Sequence, residues 1–197
     1  MKKKITIAVV ALALVLCSVV GFTFAWLLDT TTPVKNTFTA GDVDITLIET
    51  KNPDGSENEG GVTNWAAQMI PGEVYAKNPI VTVTDETNVD CYLFVKFEQS
   101  EYASTYLTYE STLTESNGWT QGNGTDIPDN VWYREVKTTD DIKSWNLLKD
   151  DTITVNSESV TKDTMSKASN QSLTYTAYAV QKDNLTVSDA WKSLNTK

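Results

Sequence analysis

Beyond residue 40 the hydrophobic pattern of this chain has a period of two. Val43, Ile45 and Leu47 alternate with Asp42, Asp44 and Thr46, which gives a strand one apolar and one wet face. Cys91, Leu93, Val95 and Phe97 alternate with Tyr92, Phe94, Lys96 and Glu98, so this strand has a second, half-aromatic face and predicts a central position in a packed sheet. In the segment 172–181, Leu173, Tyr175, Ala177 and Ala179 share one face and Thr174, Thr176, Tyr178 and Val180 the other. The pattern places Leu93, Val95, Tyr175 and Ala177 in facing or neighbouring strands of one core. Weaker strands are predicted over 80–84, 131–137 and 152–155, all rich in the Thr, Val, Ile and Tyr that suit a pleated, half-buried surface.

Turn chemistry punctuates these runs at Asn52-Pro53-Asp54-Gly55, Ile70-Pro71-Gly72-Glu73, Asn117-Gly118, Gly122-Asn123-Gly124 and Ile127-Pro128-Asp129. Proline at a first corner followed by glycine fits a type II turn, whose second corner needs positive φ. Helical periodicity is confined to 160–168, with Thr161 as a cap, and 187–194, with Ser188 as a cap ahead of Ala190, Trp191 and Leu194. The polar stretch 111–130 reads as a long loop. Many short strands and few helices predict an all-β fold, an antiparallel β-sandwich of jelly-roll type with one or two short helices.

A different pattern precedes residue 26. Lys2, Lys3 and Lys4 are followed by an uncharged, apolar run from Ile5 to Phe24, and the small residues Thr23 and Ala25 stand two apart. This is the layout of an export signal cut between Ala25 and Trp26. An apolar run of roughly 20 residues also spans a bilayer, so an uncleaved anchor is the alternative. Cys17 is followed by Val19, Val20, Phe22 and Phe24, which continue the apolar run past it, unlike a lipid-accepting cysteine at its end. The reading divides the chain into a signal peptide, 1–25, carrying the signal helix, and one sandwich domain, 26–197. The domain is long enough to bury a core without staples. Its single cysteine, Cys91, permits no internal disulfide.

Charge narrows the functional classes. The chain carries 16 Lys+Arg against 26 Asp+Glu, a net charge of −10, and loss of the three signal lysines leaves the remainder at −13. Such a surface repels phosphates and anionic lipids, so nucleic acid is not an expected partner and the membrane is met only through the signal before cleavage.

Four motifs in order resemble one family. Ala25-Trp26-Leu27-Leu28-Asp29, then 38–47 (Phe38-Thr39-Ala40-Gly41-Asp42-Val43-Asp44-Ile45-Thr46-Leu47), resembles the TasA and camelysin family of Gram-positive matrix-fibre proteins, whose signals are cut by a SipW-type peptidase. Ile70-Pro71-Gly72-Glu73 looks like the family's Pro-Gly-acid turn, Tyr92-Leu93-Phe94-Val95-Lys96 like its next core strand, and Ala177-Tyr178-Ala179-Val180-Gln181 with Ala190-Trp191 like its end. The middle, 98–169, matches only loosely. The resemblance implies a secreted jelly-roll subunit of the extracellular biofilm matrix or cell surface, whose partners are further copies of itself and other matrix proteins. It also implies that the freed N-terminal segment adds as a strand to a neighbouring subunit, with Trp26, Leu27, Leu28, Val34 and Phe38 as apolar anchors. The alternatives are that this segment folds back on its own domain, and that the chain is a surface adhesin or a fibre-anchoring accessory that does not self-assemble.

Camelysin members are classed as metallopeptidases, so catalysis is weighed on the residues. The chain contains no histidine, which removes the His-Glu-x-x-His zinc helix and any imidazole-activated serine or cysteine. Cys91 has no evident base nearby, and the pairs Asp140-Asp141 and Asp150-Asp151 read as solvated carboxylates. The stretch 54–59 begins like a calcium loop, but Glu59 and Trp65 stand where glycine and the bidentate glutamate belong, so it reads as an acidic exposed loop. Weak calcium binding stays open. Trp65, Trp119, Trp132 and Trp145 suit either a buried core or an aromatic platform for sugar. No catalytic residue, metal ligand or cofactor is therefore expected, and a peptidase of unknown mechanism is the least favoured reading.

Overall fold

The computed structural model describes residues 43–62 and 67–194. These form an antiparallel β-sandwich. β1 (Ile45–Lys51), β2 (Glu57–Val62), β4 (Pro79–Val83) and β9 (Ser144–Asn146) make one sheet in the order β2-β1-β4-β9. β11 (Leu173–Gln181), β5 (Cys91–Gln99), β8 (Val131–Val136) and β7 (Thr120–Gln121) make the second, in the order β11-β5-β8-β7. A small third sheet joins β3 (Val74–Ala76), β10 (Thr152–Val155) and β6 (Leu107–Thr108), in the order β3-β10-β6. β4 pairs with β9 in one sheet while β5 pairs with β8 in the other. That nesting, in which a hairpin-like pair of strands is folded over onto a second pair, is how a jelly roll winds.

The period-two segments land where their alternation puts them. Val43, Ile45 and Leu47 are buried from the first sheet, together with Val81 and Val83 of β4. From the second sheet, Leu93 lies opposite Ala179 and Val95 opposite Ala177, all within one core cluster that also holds Tyr175. β5 is central, between β11 and β8. Its other face carries Tyr92 and Phe94 into a second cluster with Val131, Val180, Ala190 and Trp191. Burying both faces of β5 explains why its sequence is apolar on one side and aromatic on the other.

The turns follow their residues. Glu73 N–H donates to the Ile70 carbonyl at 3.0 Å and Gly72 has φ 82°, the type II geometry that only glycine adopts without strain at that corner. In the β1–β2 hairpin Gly55 N–H donates to the Asn52 carbonyl at 2.8 Å, and Asp54 Oδ1 accepts from Ser56 N at 2.9 Å. Residues 54–56 are thus a hairpin tip, and Glu57–Glu59, expected as loop, run in β2 instead. β2 has no apolar alternation of its own. It is held by main-chain pairing with β1, which sequence periodicity does not report.

Three short helices are present among the described residues: α1 (Ala103–Tyr106), α2 (Met165–Ala168) and α3 (Val187–Leu194). The helix expected over 160–168 is reduced to α2. Asn156 Oδ1 accepts from Glu158 N and Ser159 N, and Thr164 Oγ1 donates to the Ser159 carbonyl at 2.6 Å, so local side-chain bonds hold 156–164 in turns. Thr161 bonds with Thr164 and caps no helix. α3 spans the expected residues, but its cap is Thr186 rather than Ser188. Thr186 Oγ1 accepts from Asp189 N at 3.2 Å and donates to Asp189 Oδ2 at 2.7 Å, a reciprocal cap one turn long. The stretch 111–130 also departs from expectation: it contains a 3-10 turn (Glu115–Asn117) and β7, and it buries Leu113, Trp119 and Ile127. Gly122 is obligatory there, since a Cβ would stand 2.1 Å from the Pro128 carbonyl oxygen.

Candidate functional site

The predicted cleavage pair, Ala25 and Trp26, and the predicted strand anchors Trp26, Leu27, Leu28, Val34 and Phe38 lie outside the described residues, as does the signal helix. What is described is where that segment leads. Val43 is buried, and β1 follows directly as an inner strand between β2 and β4. β1 is fixed at its far end by charge. Glu49 continues the inward series of Ile45 and Leu47, and its Oε1 receives Lys77 Nζ at 2.6 Å with both side chains buried. Asn78 adds two bonds to the same strand, accepting from Lys51 N at 3.1 Å and donating to Thr50 Oγ1 at 2.8 Å. Alternation puts Glu49 in phase with Val43, Ile45 and Leu47 on the dry face, but that Lys77 meets it there follows only from the fold.

The same core holds a second polar atom. Tyr175 Oη is buried without a hydrogen-bond partner, and burial pushes its phenol well above the ordinary value, with the neighbouring Tyr109 and Glu49 adding to the effect. Its ring stacks on Phe97 at 4.9 Å between centroids. Cys91 is fully enclosed, and burial, with the Asp90 charge, pushes its thiol up to about 12. A thiol held protonated in this way is neither nucleophile nor metal ligand at neutral pH.

The acidic pairs are engaged in local structure. Asp140 Oδ2 accepts from Lys137 N at 2.9 Å, and Asp151 Oδ1 accepts from Asn146 Nδ2 at 2.9 Å. Among the described residues no three His, Cys, Asp or Glu side chains gather where a metal ion would bind.

Three of the four tryptophans singled out in the sequence fall within the described residues, and two of them meet. Trp119 is buried and packs edge-on to Trp145 at 6.1 Å, with Trp132 packed against the same core from β8. Between Trp119 and Trp145 lies Arg134, a residue that sequence reasoning passed over. On β8 it stands opposite Leu93 and so points inward between the sheets. Its guanidinium carbon is 5.1 Å from the Trp119 ring centroid and 4.2 Å from that of Trp145. Burial pulls this guanidinium below its ordinary value, which Asp140 opposes. The signal was available, because Arg134 is the only arginine in the chain and occurs in a strand rich in aromatic residues.

A family model described as camelysin metallo-endopeptidase matches residues 1–54. No curated protein and no solved structure matches the chain. The metal that the family description implies finds no fit in these residues: the chain has no histidine, its buried thiol stays protonated, and the described carboxylates do not converge. The match begins in the apolar leader, crosses the segment after Ala25 and ends in the β1–β2 turn, the region where the motifs of the sequence resemble TasA and camelysin. Over residues 1–54, then, this chain is similar to the camelysin family.

Proposed function

We propose that the protein is a secreted structural subunit of extracellular matrix fibres, in which residues 26–38 of one copy pair as a strand with a sheet edge of the next. The observation that supports this reading is the span of the family match, which runs without a break from the apolar stretch through residues 26–38 into the first core strand. The segment 26–38 lies directly upstream of β1, so its departure to a neighbour leaves the described core strands in place. The sheet edges support the reading as well: among the described residues the sheet orders end on β2 and β9, and on β11 and β7. Extended segments bind such edges by main-chain hydrogen bonds, with alternate side chains filling pockets. Catalysis is not part of the proposal, because the chain has no histidine and no donor set for a metal gathers among the described residues.

The test is electron microscopy of purified residues 26–197 across a concentration series. Filaments whose amount rises with concentration support self-assembly. Deleting residues 26–32 should leave a folded monomer that does not elongate, since main-chain pairing across copies is lost while both sheets remain. Filaments of normal length from the deletion, or a protein that stays monomeric at high concentration, would replace this reading with that of an accessory or adhesin.

A further inference from the structure

A guanidinium enclosed by two indoles needs an acceptor for its N–H groups, and Arg134 has almost none. Its Nε is buried without a hydrogen-bond partner. Its Nη1 reaches only the Asn117 carbonyl, at 3.5 Å and in an exposed position, the outer limit of a hydrogen bond. Nη2 lies along the same turn, 3.1 Å from where a Cβ of residue 118 would stand. Among the described residues no carboxylate comes within 4.0 Å of it. Asp140 acts on it only through space, and that carboxylate already accepts from the Lys137 backbone. In a chain with 26 acidic residues, the one arginine is therefore paired with no carboxylate among the described residues.

Its position makes this more than an idle side chain. The guanidinium packs against the rings of Trp119 and Trp145, which restricts its rotamers and reduces the freedom left to be lost on binding. Trp132 stands two residues earlier on the same inward face of β8 and is only partly buried. Two residues along a strand is about 7 Å, a separation that lets one sugar ring lie against the indole while its carboxylate meets the arginine. β7 pairs with β8 only at Tyr133 and Trp132, so Arg134 lies past that ladder, with its guanidinium beside the exposed Asn117–Gly118 turn.

We propose that Arg134, with Trp132 beside it, forms a binding site for the carboxylate of a uronic-acid unit in an acidic polysaccharide. The carboxylate accepts from the terminal guanidinium nitrogens, while the sugar face packs on Trp132. The site is independent of fibre assembly and stands or falls by itself.

Titration of the purified full-length protein with tri-galacturonate, followed by tryptophan fluorescence, tests it. A saturable change is expected, with galactotriose giving none. Arg134→Gln should weaken the response by about tenfold or more, the worth of one charge-assisted pair, while the thermal transition of the variant shows that it is folded. Trp132→Leu should weaken binding of tri-galacturonate and leave the response to free acetate unchanged. If Arg134→Gln does not fold, the comparison of acidic with neutral trisaccharide on the unaltered protein decides. No saturable change up to about 10 mM, a range covering millimolar affinities, would overturn the proposal, as would an equal response to galactotriose. An equal response to tri-glutamate would overturn the saccharide assignment in favour of an acidic peptide.

Discussion

Lys77 places an ammonium where a sandwich core ordinarily holds hydrocarbon, and Glu49 is the reason it is tolerated. Taking both charges out of water costs several kcal/mol each, which their 2.6 Å contact offsets only while both are present. Replacing one partner is therefore harsher than replacing both. Lys77→Met should destabilise by about 3 to 5 kcal/mol in chemical denaturation, and adding Glu49→Leu should recover much of that loss. An additive double variant would mean that the two residues act separately. Cys91 makes a second test at this scale. With its thiol pushed up to about 12, it should resist a maleimide in the native protein at pH 8 and react once the chain is unfolded. The linkage has a definite sign: the folded state holds the thiol proton more tightly than the unfolded state, so this contribution is intact below the unfolded pKa. It is lost as pH rises from there through the folded value of about 12, and contributes nothing to acid sensitivity.

Among the elements, β5 carries the most, because it is central and buried on both faces. Leu93→Ala should destabilise by about 2 to 5 kcal/mol, the cost of emptying a packed site; a change under about 0.5 kcal/mol in the same denaturation would assign Leu93 to the surface. The longer elements were legible in the sequence: β4, β5, β8, β10 and β11 coincide with their expected segments to within one residue at either end, and β1 overlaps its alternating segment 42–47 but runs on to Lys51. The elements that were not legible are held by something else. β2, with its sequence Glu-Asn-Glu-Gly-Gly-Val, exists through its ladder to β1, and β3, β6, β7 and β9 are two or three residues long, too short for any period. Caps failed in the same way, since Thr186 and Ser188 are both acceptable residues and only the backbone decides which oxygen faces the free N–H groups. Arg134 stands out in the sequence as the one arginine, but its inward direction does not, for a related reason. A charged residue in a strand reads as solvent-facing unless the register is known.

For the molecule as a whole, the first expectation concerns its N-terminus. Intact mass of the secreted protein should place it at or within a few residues of Trp26, and a species in the medium that keeps Lys2 to Lys4 would rule out this processing. The division between leader and sandwich rests on a change of pattern, from one unbroken apolar run to alternation, and such changes are what a sequence displays best. Topology is displayed worst, because no local signal says that β4 will meet β9 or β5 will meet β8. The pairing of β5 with β11 carries its own consequence. Gln181 meets Cys91 and Leu173 meets Gln99, so the last of the described strands closes on one made roughly 80 residues earlier. Until then Leu93 and Val95 lack Ala179 and Ala177 beside them, and the core between the sheets stands open. Such long-range closure is slow and unrewarded until late. A chain shortened to end before Leu173 would keep ten of its eleven described strands yet lack the one that flanks β5, and it should show no cooperative thermal transition, so that β11 acts as the clasp on which the compactness of all the strands before it depends.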